Sequence, residues 1–337
     1  MQSDRRSWRS CPAKYALLLL CLGVPCIQGC SSQKSGQIAV IPRTTGTMLW
    51  EPEHGGAAIA GKKTGHAIYW NAPTREDDVS AQIALVEQAV HKNVEGLVLA
   101  PDQVLGLMTP VRRAIDHGVR TVIVGSPLTI PASERLSYIL NDDEEGGRIA
   151  AMRVGAILHG HGTVAVIGIN PDVAGILIRA RSFEETLDKN FPGIRLLEKR
   201  MGSFNVPHEQ QVAEEVLKSN SGLDAIVALM WSSVRGSIAT IENESAWSSV
   251  KVIGFDPEAL PMNAVSLDSI IAENTREMGY KAVEMIDAAG HGHPMPLLLK
   301  IKPILITRDN VSSEEVQRLT SMDGGPAPLQ PDRSVAP

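Results

Sequence analysis

The chain has 337 residues, 43% of them hydrophobic and 21% charged, with a formal net charge of −6. That balance excludes a chain disordered over most of its length and offers no basic excess for nucleic acid. Less about thirty residues for a leader, the length exceeds what one core usually organises and points to two lobes.

The first predicted element is that leader. Arg5, Arg6, Arg9 and Lys14 make a basic start, and YALLLLCLGVPCI (15–27) is an apolar run too short to span a bilayer permanently. All four cysteines lie at or before Cys30. The step Ile27-Gln28-Gly29-Cys30 resembles the lipobox of bacterial lipoproteins, in which the cysteine is lipidated and becomes the mature N-terminus. This resemblance implies a signal peptide over 1–29, lipidation at Cys30, a lipidated linker over 30–36, and an exported protein held at a membrane in the periplasm or at the cell surface. The alternative is an ordinary signal peptide in which Cys30 is incidental. In either case the exported part carries no disulfide and depends on its core.

From Gln37 onward, short β-branched runs bounded by Gly, Pro, Asn or Asp recur: QIAVIP (37–42), HAIYWN (66–71), GLVLAP (96–101), RTVIVG (120–125), TVAVIG (163–168), IRLLEK (194–199), AIVALM (225–230), KVIGFD (251–256) and SIIAEN (269–274). Between them lie segments with helical spacing, such as Ile83, Val86, Val90 and Val94. This alternation predicts an α/β fold of parallel sheets wound by right-handed crossovers, with helices on both faces. The loop DDEEGG (142–147) is the expected crossing between lobes, and the Pro- and Gly-rich tail beyond Met322 is expected to be unfolded.

Little in the chain points to catalysis or a cofactor. GKKTG (61–65) lacks the spacing of a phosphate loop, and GHGT (160–163) reads as a turn ending a helix. There is no Gly-x-Ser-x-Gly elbow, and no cysteine beyond Cys30 for thiol chemistry. The pairs His159/His161 and His291/His293 lack a neighbouring carboxylate or cysteine ligand, so neither metal nor cofactor is expected. Thr74 with Glu76, Asp77 and Asp78 reads as a helix N-cap with acids on the first turn; the run from Asp142 to Glu145 reads the same way in preference to a calcium site.

The remaining signals are loops at the C-terminal ends of strands, where open parallel sheets bind ligands. PRTTGTMLWEPEHGG (42–56) resembles the first-strand loop of the type I periplasmic binding proteins, the ribose- and galactose-binding group that shares its core with lactose-repressor-like regulators. The resemblance continues through APTREDD (72–78), LVLAP (97–101), NDDEEGGRIAA (141–151), IRARSFEETL (178–187), VIGFDPEAL (252–260) and EMGYKAVEMI (277–286) to ILITRDN (304–310). It implies two Rossmann-like lobes joined by a three-strand hinge. The N-terminal lobe would comprise 37–141 plus 274–303 and the C-terminal lobe 142–273 plus 304–318, with a disordered tail over 319–337.

The resemblance also implies a site. Trp50 takes the place of the aromatic that stacks on a sugar ring, the alternative being a Trp buried in a lobe core. Arg179, four before Phe183, takes the place of the arginine that holds ring or hydroxyl oxygens; otherwise it is a helix-surface arginine. Asp256 matches the carboxylate that accepts from vicinal hydroxyls, and Asp-Pro-Glu is equally a helix start. Asp143, on the 141–151 turn, is a further candidate ligand-binding residue. The departures lie at Gly125-Ser126, where an aspartate is common; at Met230-Trp231, where Asn-Asp or Asn-Glu is expected; and at Glu273, in place of an amide. The function implied is non-enzymatic: a monomeric, lipid-anchored solute-binding protein capturing a sugar-like ligand for an ABC permease. Alternatives are a sensor presenting its closed form to a membrane receptor such as a histidine kinase, and a glycoside-cleaving enzyme using Glu273 and Asp256 as paired acids.

Overall fold

The computed structural model describes residues 36–256 and 262–320; the leader, Cys30, the linker to residue 35 and the tail from residue 321 lie outside the described residues. The first sheet is built by β1 (Gln37–Ile41), α1 (Glu51–Thr64), β2 (Ala67–Trp70), α2 (Val79–His91), β3 (Gly96–Leu99), α3 (Met108–Asp116), β4 (Arg120–Gly125) and β5 (Leu136–Asn141). The second follows with α4 (Asp143–Ile157), β6 (Gly162–Ile169), α5 (Ala174–Asn190), β7 (Ile194–Met201), α6 (Val206–Ser219), β8 (Ala225–Ala228), α7 (Trp231–Asn243), β9 (Lys251–Phe255) and β10 (Leu267–Ala272). The chain then returns to the first lobe with α8 (Thr275–Gly290) and β11 (Leu298–Ile301), and ends in the second with β12 (Ile304–Thr307) and α9 (Glu314–Thr320).

Strand order is β11-β5-β4-β3-β1-β2 in one sheet and β12-β10-β9-β8-β6-β7 in the other. All pairings are parallel except β12, which runs antiparallel to β10. The two lobes thus repeat one winding, and the chain passes between the sheets three times, after β5, β10 and β11. The fold is the expected pair of Rossmann-like lobes. All nine β-branched runs are strands, and β5, β11 and β12 are additions to them.

Both faces of each sheet are covered, which is why the strands lack polar alternation. In β1, Ile38 and Val40 enter one core cluster while Ala39 and Ile41 enter the cluster on the opposite face. In β6, Val164 and Val166 divide from Ala165 and Ile167 in the same way. Each fully buried Val, Leu or Ile contributes about 1.5–3 kcal/mol relative to exposure.

Helix ends follow local chemistry. Asp78 caps α2 by accepting from the Ala81 amide at 3.1 Å, and Asp142 caps α4 through the Glu145 amide at 3.3 Å. The run at 142–145 is therefore the helix start expected. The one at 74–78 is corrected: the cap is Asp78, and Glu76 is not on the helix. Two glycines set the helix spacing around the cleft. A Cβ on Gly279 of α8 would lie 2.2 Å from the Glu53 carbonyl of α1, and one on Gly147 of α4 would lie 2.3 Å from the Arg179 carbonyl of α5. These close approaches draw Glu53 and Arg179 to their positions.

Candidate functional site

The site is assembled where strands of both sheets end. After β1, Arg43 donates from Nε to the Pro101 carbonyl at 3.2 Å and from Nη2 to Ser126 Oγ at 3.1 Å, joining the ends of β1, β3 and β4. Its guanidinium lies 5.4 Å from the ring centroid of Trp50, at the end of a 3-10 turn (Met48–Trp50) that leads into α1. Asp77, at φ 72°, reverses the chain before α2, and Glu76 turns inward, only 4% exposed. Aspartate tolerates this left-handed backbone better than most residues.

Glu76 joins the lobes. One carboxylate oxygen accepts from Trp50 Nε1 at 3.1 Å and the other from Trp231 Nε1, at the start of α7 in the second lobe, at 3.0 Å. A further cross-lobe contact is made nearby: the Val104 amide donates to the Asp172 carbonyl and Gln103 Nε2 to Asp172 Oδ1, each at 3.4 Å.

On the second lobe Arg179 is 5% exposed and is held by three acids. Nε donates to Asp143 Oδ1 at 2.6 Å, Nη1 to Asp256 Oδ2 and Nη2 to Glu273 Oε1. Nη1 also donates to the Leu229 carbonyl at 3.3 Å, and the guanidinium lies 4.9 Å from the Phe255 ring centroid. Asp256 adopts φ 48° at the end of β9, and its Oδ1 accepts from the Glu273 amide at 3.2 Å. The left-handed turn thus fixes one acid against the backbone that carries the next.

Burial dominates the electrostatics. It raises Asp256 well above the usual carboxylate range although Arg179 opposes it, and it brings Asp143 to about 6. Arg179 is raised: burial acts to lower it but is outweighed by Asp256, Asp143 and Glu273. Burial raises Glu76 as well, against Arg43 and the two indole donors. Two more acids stand nearby. Glu53 on α1 and Asp102 after β3 are each pushed to about 8 by burial, and no carboxylate oxygen of either has a hydrogen-bond partner among the described residues.

Trp50, Arg179, Met230, Trp231, Asp256 and Glu273 line one interlobe space that leaves about 10 Å³ free, room for about one water. Anything larger than a water molecule therefore enters only when this space widens. Residues 38–293 match the family described as the periplasmic binding protein domain.

The chain belongs to this family.

The D-allose-binding periplasmic protein of Escherichia coli is 24% identical over 277 residues, covering 79% of this chain and 89% of that protein. The D-ribose/D-allose-binding protein of Pseudomonas aeruginosa is 24% identical over 185 residues, which span 54% of this chain and only 57% of that relative. Among solved structures, a carbohydrate transporter solute-binding protein from Agrobacterium radiobacter in complex with D-arabinose superposes with a TM-score of 0.78 at 23% identity, covering 86% of this chain and all of that one. An ABC transporter solute-binding protein from Agrobacterium vitis bound to α-D-tagatopyranose gives 0.77 at 24%, covering 84% and 98%. These are binding proteins rather than enzymes, which sets aside the glycoside-cleaving alternative.

Within this periplasmic binding protein the expected residues divide into two groups. Six of them line the interlobe space as described. Ser126 and Asp143 do not, and each reaches the cleft through an arginine, Ser126 through Arg43 and Asp143 through Arg179. Of the alternatives for Arg179, a helix-surface position is corrected by its burial. Trp50 is 1% exposed and packs into the first-lobe core while its ring borders the cleft. The helix-start reading of Asp256 involves residues 257–261, which lie outside the described residues. Sequence reasoning missed Arg43, Glu53, Glu76 and Asp102. All but Glu53 stand in loops that directly follow strands, and that placement was the available signal. Among the described residues no group of three or more His, Cys, Asp or Glu forms a metal site, and no helix is long and apolar enough to cross a membrane.

Proposed function

We propose that the protein is an exported solute-binding protein that captures a sugar or sugar-like ligand between its lobes and presents it to an ABC importer, tethered to the membrane through lipidated Cys30. The observation that carries this reading is the convergence of Arg179, Asp256 and Glu273 on the cleft between two lobes linked by three chain crossings. A guanidinium donates to ring and hydroxyl oxygens, carboxylates accept from vicinal hydroxyls, and the indoles offer flat faces to C–H groups. Relatives named for D-allose and D-ribose, and neighbours holding D-arabinose and α-D-tagatopyranose, favour a monosaccharide. Ligand binding would favour the closed form by its extra contacts there, and the permease would read that form.

Titrating the full-length protein in detergent with allose, ribose, arabinose and tagatose is expected to change its tryptophan fluorescence, since Trp50 and Trp231 border the ligand. At about a hundred times the dissociation constant, the bound sugar should stabilise the fold by about 2.7 kcal/mol. A protein unmoved by every monosaccharide would not be a sugar receptor. The anchor has its own test: Cys30→Ser should move the protein from the membrane to the soluble fraction, and unchanged membrane retention would rule it out.

A further inference from the structure

Among the described residues, six carboxyl groups stand at or around the cleft: Glu53, Glu76, Asp102, Asp143, Asp256 and Glu273, each buried except Glu273, whose side chain is 11% exposed. Facing them are the guanidiniums of Arg43 and Arg179; with Arg276, buried at the start of α8, the acids still outnumber the bases two to one. A neutral sugar needs acceptors for its hydroxyls, but it brings no positive charge to balance this excess. Buried charge left unbalanced is costly, so the complement has to come from protonation or from the ligand.

Protons serve in the ligand-free protein, and two observations point to a ligand cation that would take their place. Glu53 and Asp102 are at most 3% exposed, and all four of their oxygens lack partners among the described residues. Glu53 feels Arg43 and Glu273 of the cleft, and Asp102 feels Arg43 and Glu76 together with Asp77 and Asp78 before α2. Such orphan acceptors are rare in a finished interior; neither acid lines the interlobe space, but both stand close enough to its charged groups to respond to a cation brought there. The second observation is aromatic. Trp50 already carries a cation against its ring, the Arg43 guanidinium at 5.4 Å, and Trp231 adds a second indole to the same space.

We propose that the cleft is selective for a polyhydroxylated ligand bearing a basic nitrogen, an aminated sugar or a close analogue, with Glu273 as the residue that chooses the ammonium over a hydroxyl. This rests on the sugar-capture reading and narrows its substrate class. An ammonium has three donors and no acceptor, which suits a site rich in carboxylates. Glu273 lines the interlobe space and gives one oxygen to Arg179, leaving the other to receive an N–H. An amide at this position would lose the charge and offer a donor in its place. Burial holds Glu53 and Asp102 protonated near neutrality, and an arriving cation would favour their ionised forms.

The test is calorimetric titration of the full-length protein at pH 7 with matched sets: glucose, galactose and mannose, their 2-amino-2-deoxy forms, and the N-acetylated amines, which keep the nitrogen without its charge. The amines are expected to bind at least about ten-fold tighter than both uncharged counterparts, the margin of one charge-assisted hydrogen bond. Glu273→Gln, of nearly the same shape, should shrink that preference about ten-fold, read as the ratio of amine to neutral-sugar affinity in the same variant so that a general loss of binding does not count as a loss of preference. Neutral sugars binding as tightly as amines would overturn the inference and leave sugar capture standing. No binding by any carbohydrate would overturn both. A preference unchanged in Glu273→Gln would remove that residue from the role.

Discussion

Replacing Arg179 by methionine is expected to destabilise the fold by about 3–5 kcal/mol at pH 7 and to abolish ligand binding. The guanidinium occupies the middle of an acidic cluster: Asp143, Asp256 and Glu273 each accept from a different nitrogen, and all three side chains are at most 11% exposed. Methionine matches the length of the stem but leaves three buried carboxyls facing one another without the guanidinium donors that each had. Much of that penalty is escaped if they bind protons, so the gap between the variant and the native protein should narrow as pH is lowered from 8 to 5. Arg179→Lys keeps one charge but loses the fork that serves three partners, so an intermediate loss is expected. Urea unfolding of the three proteins at both pH values decides the matter. A methionine variant within about 1 kcal/mol of native at pH 7 would mean that the acids are already protonated and that Arg179 is not their counter-charge.

Parts of the molecule carried by repeated local rules were legible in the sequence. Strands covered on both faces read as unbroken apolar runs, so QIAVIP and RTVIVG declared themselves, and their spacing with helical segments fixed a wound parallel sheet. The strands that escaped notice include two at sheet edges. β11 has Leu298 51% exposed and a lysine at 300, and β12 is a four-residue antiparallel strand. Neither carries the doubly buried signature. The site divides similarly. Arg179, Asp256 and Glu273 were reachable through resemblance, each at a fixed place relative to its own strand or helix. Glu76 was not. An acid just before a helix already has a sufficient local explanation, which Asp78 in fact satisfies. The role of Glu76 comes from an indole 155 positions away, in the other lobe. Glu53 was hidden in the same way, because an acid in a first helical turn is ordinary, and only the close packing of α1 on α8 through Gly279 buries it.

That burial gives the second large effect: the ligand-free protein is expected to lose stability as pH rises from about 5 to about 8. Glu53 and Asp102 have ordinary carboxyl values of 4.5 and 3.8 and are pushed to about 8 in the fold by burial, which Arg43 offsets only in part. Between those values the folded state holds a proton that the unfolded state has released. Folding therefore takes up protons, and the contribution of each group is fully present below its unfolded value and lost as pH climbs through its folded one. The slope is about 1.4 kcal/mol per pH unit for each group across that window. Glu53→Gln supplies a neutral side chain of the same size. It should remove about 1.4 kcal/mol per pH unit from the slope and stabilise the protein at pH 8, while changing little at pH 5. Urea midpoints at pH 5, 6, 7 and 8 for both proteins measure this directly. A profile flat in the native protein would show that these two acids ionise freely in the fold, and the same slope in both proteins would acquit Glu53 and leave Asp102 and the other acids raised by burial to account for it.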